Sequence, residues 1–439
     1  MLTIGRRRPE FDANWGQEME AAARGVLGAL TDRLILPQAA AVDAASLGCA
    51  LDQFRLAGCR LLVIIQPTMG DCSLAAALAQ QWPHPVMLWA TPERPDADRV
   101  TACSLVGTHC FASILRQYGR SSEMLAADPR SPEASARLAA ALRVAQAALR
   151  LREARIGLVG GAAPGFLNML ADPFELAAAI GAQLVVFGLE AFCNLVSQQE
   201  PDTVAADMQR VREIGLHLTD GLCDIALKMS SRYYLAIRQL MSQERLDALA
   251  LRCWPELPER FGHWPYLAMA RLASEGHIVA LEGDVDGALT CLAGSSMGAG
   301  PGFITDWLEH DDHRATLWHP GHAAFELCER DSFSLGRHFN NHKPMVVNAA
   351  LAAEQPVTLA RIWRCDGRYW MTACHARTIR PSQRLAGTYG QITLDGHSPR
   401  RWLEHRCHQG MPHHLTMFPG HHLDNFQALA RHLRLEWVQ

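Results

Sequence analysis

Arg155-Ile156-Gly157-Leu158-Val159-Gly160-Gly161 is an apolar run that stops on a glycine pair, and Asp172-Pro173-Phe174-Glu175 follows it. The run predicts a buried strand over 155–159. Asp172 is placed to cap a helix, and Pro173 sits in its first turn, where a missing N–H costs nothing. Glu175 stands at the capping-box position. Gly181 closes that helix, and Gln183-Leu184-Val185-Val186-Phe187 predicts the next strand. Strand, helix and strand in so short a space make the βαβ unit of a parallel sheet. Gly160-Gly161 lacks the full GxGxxG pattern of a dinucleotide-binding loop, so turning the backbone is its expected role.

The same rhythm extends on the N-terminal side. Residues 61–65 predict a strand ending at Gln66-Pro67, and Val86-Met87-Leu88-Trp89 predicts another. A helix starting at Ser131-Pro132 carries Leu138, Leu142, Ala145 and Leu149 on one face. Toward the C-terminus, helical segments are expected over 203–250 and a strand over 277–281. Beyond about residue 345 the pattern changes to strands at 357–363, 369–373 and 389–394. Asp366-Gly367 and Asp395-Gly396 sit where hairpin turns are expected. A final helix over about 423–434 places Phe426, Leu429 and Leu433 on one face. The expected fold class is α/β: two Rossmann-like parallel-sheet domains, 1–154 and 155–343, then a small antiparallel, barrel-like β domain, 344–439.

Composition narrows the function. The chain has 439 residues, 49% hydrophobic and 20% charged, with a net charge of −4. That length implies more than one core. The charge offers no basic surface for nucleic acid or anionic lipid. Arg6-Arg7-Arg8 is not followed by the apolar core of a signal peptide, and no apolar run is long enough to span a bilayer. Thirteen cysteines without paired CxxC spacing fit reduced thiols, so a cytoplasmic protein is expected. Fifteen of the 20 histidines lie at or beyond residue 310, which points to ligands or proton-transfer groups in the last third. Serine and cysteine nucleophiles are both unpersuasive, and no cysteine sits in a known catalytic setting.

Three segments offer metal-binding chemistry: Leu281-Glu282-Gly283-Asp284, Thr305-Asp306, and Met411-Pro412-His413-His414. Glu282, Asp306 and His414 together supply two carboxylates and an imidazole, a set suited to Mn²⁺ or Mg²⁺ and unlike a thiolate zinc site. The two carboxylates follow apolar runs at 277–281 and 302–305, and α/β sheets hold ligands outside the carboxyl ends of their strands. Each residue also has a plainer reading. Asp284 caps the helix that begins at Val285, Asp306 serves equally as a cap before Trp307-Leu308, and His413-His414 reads as solvated loop.

Several further segments carry a family resemblance. Ile4-Gly5-Arg6-Arg7-Arg8-Pro9, Leu88-Trp89 followed by Glu93-Arg94-Pro95, and Cys253-Trp254 occur in order along the chain. Glu282 and Asp306 stand 24 apart (306 − 282), and His319-Pro320-Gly321-His322 and His413-His414 ahead of Gly420-His421 follow. In order and spacing these resemble the L-fucose/L-arabinose isomerase superfamily, most closely its L-fucose isomerase-like branch. The resemblance implies a divalent-metal-dependent aldose–ketose isomerase working through an enediolate. Glu282 and Asp306 would be both metal ligands and acid/base groups, with His414 the third ligand. Mn²⁺ is the expected ion, with Mg²⁺ or Co²⁺ as substitutes. Arg8, Trp89, Trp254, His322 and His413 would face the sugar, with His322 as either a substrate contact or a fourth ligand. The resemblance further implies a homo-oligomer, a hexamer in the family, in which Arg8 and Trp89 cover a neighbour's site. Neutral deoxyhexoses, pentoses and sulfonated hexoses such as sulfoquinovose are all substrates within that superfamily. Metal-dependent hydrolase or aldolase chemistry on the same ligands is the first competing reading, and a non-catalytic sugar sensor is the second.

Overall fold

The protein is described here by a computed structural model covering residues 1–5, 11–216 and 224–439. It divides into two compact units, Met1–Leu149 and Arg150–Gln439. In the first, strands β1 (Leu2–Thr3), β2 (Leu62–Gln66), β3 (Val86–Ala90) and β4 (Ser122–Ala126) form a parallel sheet in sequence order. Leu62, Ile64 and Leu88 enter a core with Phe54, Trp82 and Phe111. Val63, Ile65, Met87 and Trp89 enter a second core with Leu138. Both faces of the sheet are covered, which is why these strands read as unbroken apolar runs instead of alternating ones. The helix expected from Ser131 is Pro132–Glu153, and Leu138 and Ala145 on its inner face are fully buried.

The second unit begins with the βαβ unit that opened the sequence reading. Strands β5 (Arg155–Val159) and β6 (Gln183–Phe187) form as expected. Between them, Asp172 caps helix Pro173–Ala179 by accepting from the N–H groups of Phe174 and Glu175. Glu175 turns its carboxylate to Arg364 at 2.9 Å. Gly160 and Gly161 take φ of 79° and 81°, the backbone turn expected of them.

The helical reading of 203–250 needs one correction. Helices Pro201–Glu213 and Asp224–Gln243 are present, but Ala248–Leu251 is a strand, β7, between β5 and β8 (Val279–Leu281). Ala-Leu-Ala-Leu has no β-branched residue, and a short buried apolar run carries no period that separates strand from helix. The parallel sheet is ordered β6-β5-β7-β8.

Among the described residues a second, nine-stranded sheet follows. Its members are β9 (Phe303–His310), β10 (Ala315–His319), β11 (Ser334–Arg337), β12 (Pro344–Ala350) and β13 (Pro356–Cys365). The others are β14 (Arg368–Ile379), β15 (Thr388–Leu394), β16 (His414–Pro419) and β17 (Glu436–Val438). The order is β11-β12-β15-β10-β9-β16-β13-β14-β17, mostly antiparallel, with β12–β15 and β14–β17 parallel. Because β14 also pairs with β15, six strands from β15 round to β14 make a closed ring of pairings. Strands on both sides of residue 344 share this sheet. Asp366-Gly367 forms the expected two-residue hairpin, with φ of 52° and 68° and Cys365 paired to Arg368. Asp395-Gly396 leads instead into helix Pro399–Cys407. Helix Leu423–Leu433 buries Phe426, Leu429 and Leu433 as expected.

A buried ion pair ties two of the helices together. Arg271 donates twice to Asp207, at 2.8 Å each, with its guanidinium 3.8 Å from the centre of the Tyr234 ring. Among the described residues no helix is long and apolar enough to cross a membrane.

Candidate active site

Glu282 lies just past the carboxyl end of β8, where a parallel sheet exposes ligand-binding positions. Its backbone is held at φ 60°, an unusual value for a residue with a Cβ. Two backbone bonds enforce it: Ala163 N–H donates to the Glu282 carbonyl at 2.8 Å, and Gly283 N–H to Leu251 O at 3.1 Å. A Cβ on Gly283 would stand 2.1 Å from Gly161 O, so only glycine fits beside the turn after β5. The side chain is anchored as well, since Trp254 donates its indole N–H to Glu282 Oε1 at 2.7 Å.

Asp306 arrives by a different route. It is inside antiparallel strand β9, Cα partner of His414 on β16 and of Trp318 on β10. The helix-cap reading of Asp306 is therefore overturned, and the strand-end rule applies to Glu282 alone. Cross-strand partners share a face of the sheet, which brings Asp306 and His414 together. His414 Nε2 lies 3.2 Å from Glu282 Oε2 and 3.7 Å from Asp306 Oδ1. On its other side, His414 Nδ1 donates to Asp284 Oδ2 at 2.8 Å. His319 joins the group with Nδ1 donating to Ile304 O at 3.1 Å and Nε2 3.9 Å from Asp306 Oδ2.

The electrostatics separate the two carboxyls. Burial pushes Asp306 up to about 6, with the His414 charge opposing and Glu282 adding a smaller lift. Burial acts in the same direction on Glu282, but the close approach of His414 and its charge outweigh it and hold Glu282 below the usual range. Burial alone would lower His414, whereas its bond to Asp284 and the pull of Glu282 lift it to about 9. For Asp284, burial is overcome by the Arg361 charge and the His414 bond, which keep it well below ordinary carboxylates.

Glu282 and Asp306 open on a cavity of about 490 Å³. Trp254, Trp264 and Trp318 supply its apolar wall, and His319, His338 and Asn341 its polar groups. Among the described residues no lysine or arginine lines it. Trp254 is thus brought to the site, while His413 is exposed above it, its ring 4.5 Å from that of His414 and 4.7 Å from that of Phe166. His322 is not among the lining side chains. It is buried one ring behind His319, at 5.1 Å between centroids, and its Nδ1 has no partner. Trp89, expected against the sugar, is 1% exposed in the core of the first unit and donates to Ala127 O. Arg8 lies outside the described residues. Sequence reasoning overlooked His319, whose only signal was its place in the quoted histidine loop, and it read Asp284 as no more than a cap.

The donors fit a divalent cation. Asp306 Oδ1 and His414 Nε2 are both buried without a hydrogen-bond partner, which is costly unless something cationic fills the gap between them. Glu282, His413 and His414 form one group, and Asp306, His319 and His414 another, within which donor atoms lie within 4.8 Å of one another. Neighbouring donors around a six-coordinate ion with bonds of about 2.1 Å stand roughly 3 Å apart, close to the 3.2 and 3.7 Å seen here.

No family model matches the chain. It is, however, similar over most of its length to curated proteins named sulfoquinovose isomerase. The one from Priestia aryabhattai is 24% identical over 376 residues, 84% of this chain and 83% of that one. The one from Clostridium sp. (strain MSTE9) is 26% identical over 424 residues, 94% and 92%. The one from Alkalicoccus urumqiensis is 26% identical over 336 residues, 74% of each. The chain is an aldose–ketose isomerase. A solved structure, D-threo-3-hydroxyaspartate dehydratase from Delftia sp. HT23, aligns with 90% of this chain and 73% of that one. At 12% identity and a TM-score of 0.14, it carries no argument.

Proposed function

We propose that this isomerase converts sulfoquinovose, a hexose sulfonated at C6, to its ketose, using a divalent cation held by Glu282, Asp306 and His414. The observation that carries the metal reading is the pair of buried, unpartnered donor atoms, Asp306 Oδ1 and His414 Nε2, beside Glu282. The substrate reading rests on the sulfoquinovose isomerases that the chain resembles over most of its length. Mn²⁺ is the ion we propose, since two carboxylates and one imidazole suit it.

Isomerisation moves a proton from C2 to C1 through an enediolate. A cation bound by these residues supplies the Lewis acid that lowers the cost of the developing negative charge. Glu282 and Asp306 divide the proton work: one carboxylate takes the C2 proton and returns it at C1, and the other moves a proton between the two hydroxyls. Trp254 holds Glu282 in place through its indole N–H. The tryptophan wall excludes water from the open-chain sugar and gives its carbon skeleton an apolar face. Because the lining among the described residues holds carboxylates and no lysine or arginine, the counter-charge for a sulfonate comes from residues beyond it, and a neighbouring copy in a homo-oligomer would supply it.

The test is proton NMR of sulfoquinovose, glucose and L-fucose at equal concentration, with protein stripped of metal and then given Mn²⁺. Ketose is expected from sulfoquinovose, in preference to the neutral sugars and only after Mn²⁺ is restored. Equal turnover by the stripped protein would overturn the metal reading. Preference for a neutral sugar would overturn the substrate.

A further inference from the structure

Asp284 does more than cap a helix. It does accept from Gly287 N–H at 2.8 Å at the start of helix Val285–Ser296. The same carboxylate also takes both arms of Arg361 on β13, at 2.7 and 2.8 Å, and accepts from His414 Nδ1 at 2.8 Å. Asp284, Arg361 and His414 are all buried, Arg361 and His414 to 0% exposure. A bidentate guanidinium on one side fixes the plane of the carboxylate and leaves it one direction in which to accept from the imidazole. The Nδ1 proton of His414 is then held by Asp284, and Nε2, once it gives up its own proton to a bound cation, is aimed at Glu282 and Asp306.

The backbone makes room for this arrangement. A Cβ on Gly287 would stand 2.4 Å from Asp284 Oδ2 and 3.1 Å from Arg361 Nη1. An alanine is ordinarily favoured inside a helix, yet here it would drive the carboxylate off its partners. Glycine at 287 therefore suits the carboxylate and not the helix.

We infer that Asp284, clamped by Arg361 and accommodated by Gly287, is a positioning residue that sets the tautomer and aim of His414 for the metal. This rests on the metal reading above. Histidine ligands are commonly oriented by an outer carboxylate in this way, and loss of such a partner weakens metal affinity about 10–100-fold.

The experiment measures Mn²⁺ binding calorimetrically in the full-length protein, the Asp284→Asn and Gly287→Ala variants, and the Asp284→Asn/Arg361→Met double variant. Thermal melting follows the fold of each. The double variant removes the buried guanidinium that Asp284→Asn would strand, and so supplies a folded test if the single variant is lost. The expected result is a Kd raised about 10–100-fold in every folded variant, with turnover recovering as Mn²⁺ is raised to saturation. That metal rescue is something a purely structural contact would not give. Folded variants with the parent Kd would overturn the role of Asp284. Failure of the parent protein to bind Mn²⁺ would instead sink the metal reading itself, so the two failures are distinguishable.

Discussion

Trp254 holds Glu282 from one side, its indole N–H 2.7 Å from Oε1, while Oε2 of the same carboxylate faces His414 Nε2 at 3.2 Å. The indole is therefore both part of the cavity wall and the anchor of the carboxylate. Trp254→Phe keeps the wall and removes the anchor. A hydrogen bond to a charged group contributes about 1.5–3 kcal/mol, so kcat/KM should fall about 10–100-fold with little change in melting temperature. Kinetics within twofold of the parent would show that the bond does not position Glu282.

Gly283 sits at φ 73° with Gly161 O where its Cβ would be. Gly283→Ala adds the left-handed backbone cost of about 1–2 kcal/mol to a clash with rigid backbone. The expected outcome is a clear loss of thermal stability together with loss of turnover, read by melting and by the NMR assay. A variant that melts and turns over like the parent would contradict the close approach.

Asp286 gives a pH dependence of stability. It is half-buried with Oδ1 sealed and unpartnered, and burial lifts it to about 6, with Arg361 opposing and Asp284 adding. Unfolded, such a carboxyl titrates near 3.9. Between about pH 4 and 6 the folded protein therefore holds a proton that the unfolded chain has released. Its contribution to stability falls as pH rises through that window and is constant above it, a change on the order of 2–3 kcal/mol. Asp286→Asn should melt higher than the parent at pH 8, and by a smaller margin at pH 5. An equal margin at both values would remove Asp286 as the cause.

The Asp207–Arg271 pair should show the asymmetry of buried charges. Arg271→Leu strands a carboxylate that is 1% exposed and should cost about 3–5 kcal/mol. Asp207→Asn/Arg271→Leu leaves no charge behind and should recover much of that loss. Melting of the two variants side by side checks the ordering, and a double variant less stable than the single would refute it.

Much of the parallel-sheet half was legible because its signals are local. The run at 155–159, the Asp172-Pro173 cap and the run at 183–187 each declare themselves within a few residues, and each formed as read. β7 was not legible, since Ala248–Leu251 is a strand only by virtue of the neighbours on either side. The nine-stranded sheet was legible at β13, β14 and β15, and not at β9 beyond Thr305, at β12 or at β16. β16 carries His414, yet its six residues follow a His-rich loop and show no alternation between buried and exposed faces. Glu282 could be placed from its strand end. The competing reading of Asp306 as a cap stayed open in the sequence, because nothing local distinguishes an aspartate in a bulged antiparallel strand from one before a helix. Asp284 was read correctly as a cap and incompletely as anything else, because its other partners, Arg361 and His414, are distant in sequence.

Asp306 and His414 are Cα partners across β9 and β16, within a ring of strands that closes on itself. A strand moves in whole residues, and a slip of one turns every side chain to the opposite face. A single-residue insertion or deletion within β16 before Thr416 would thus take His414 out of the site altogether, whatever residue it added or removed. Descendants of this sequence can therefore vary in length freely in the loops, while β9 and β16 can diverge only residue for residue.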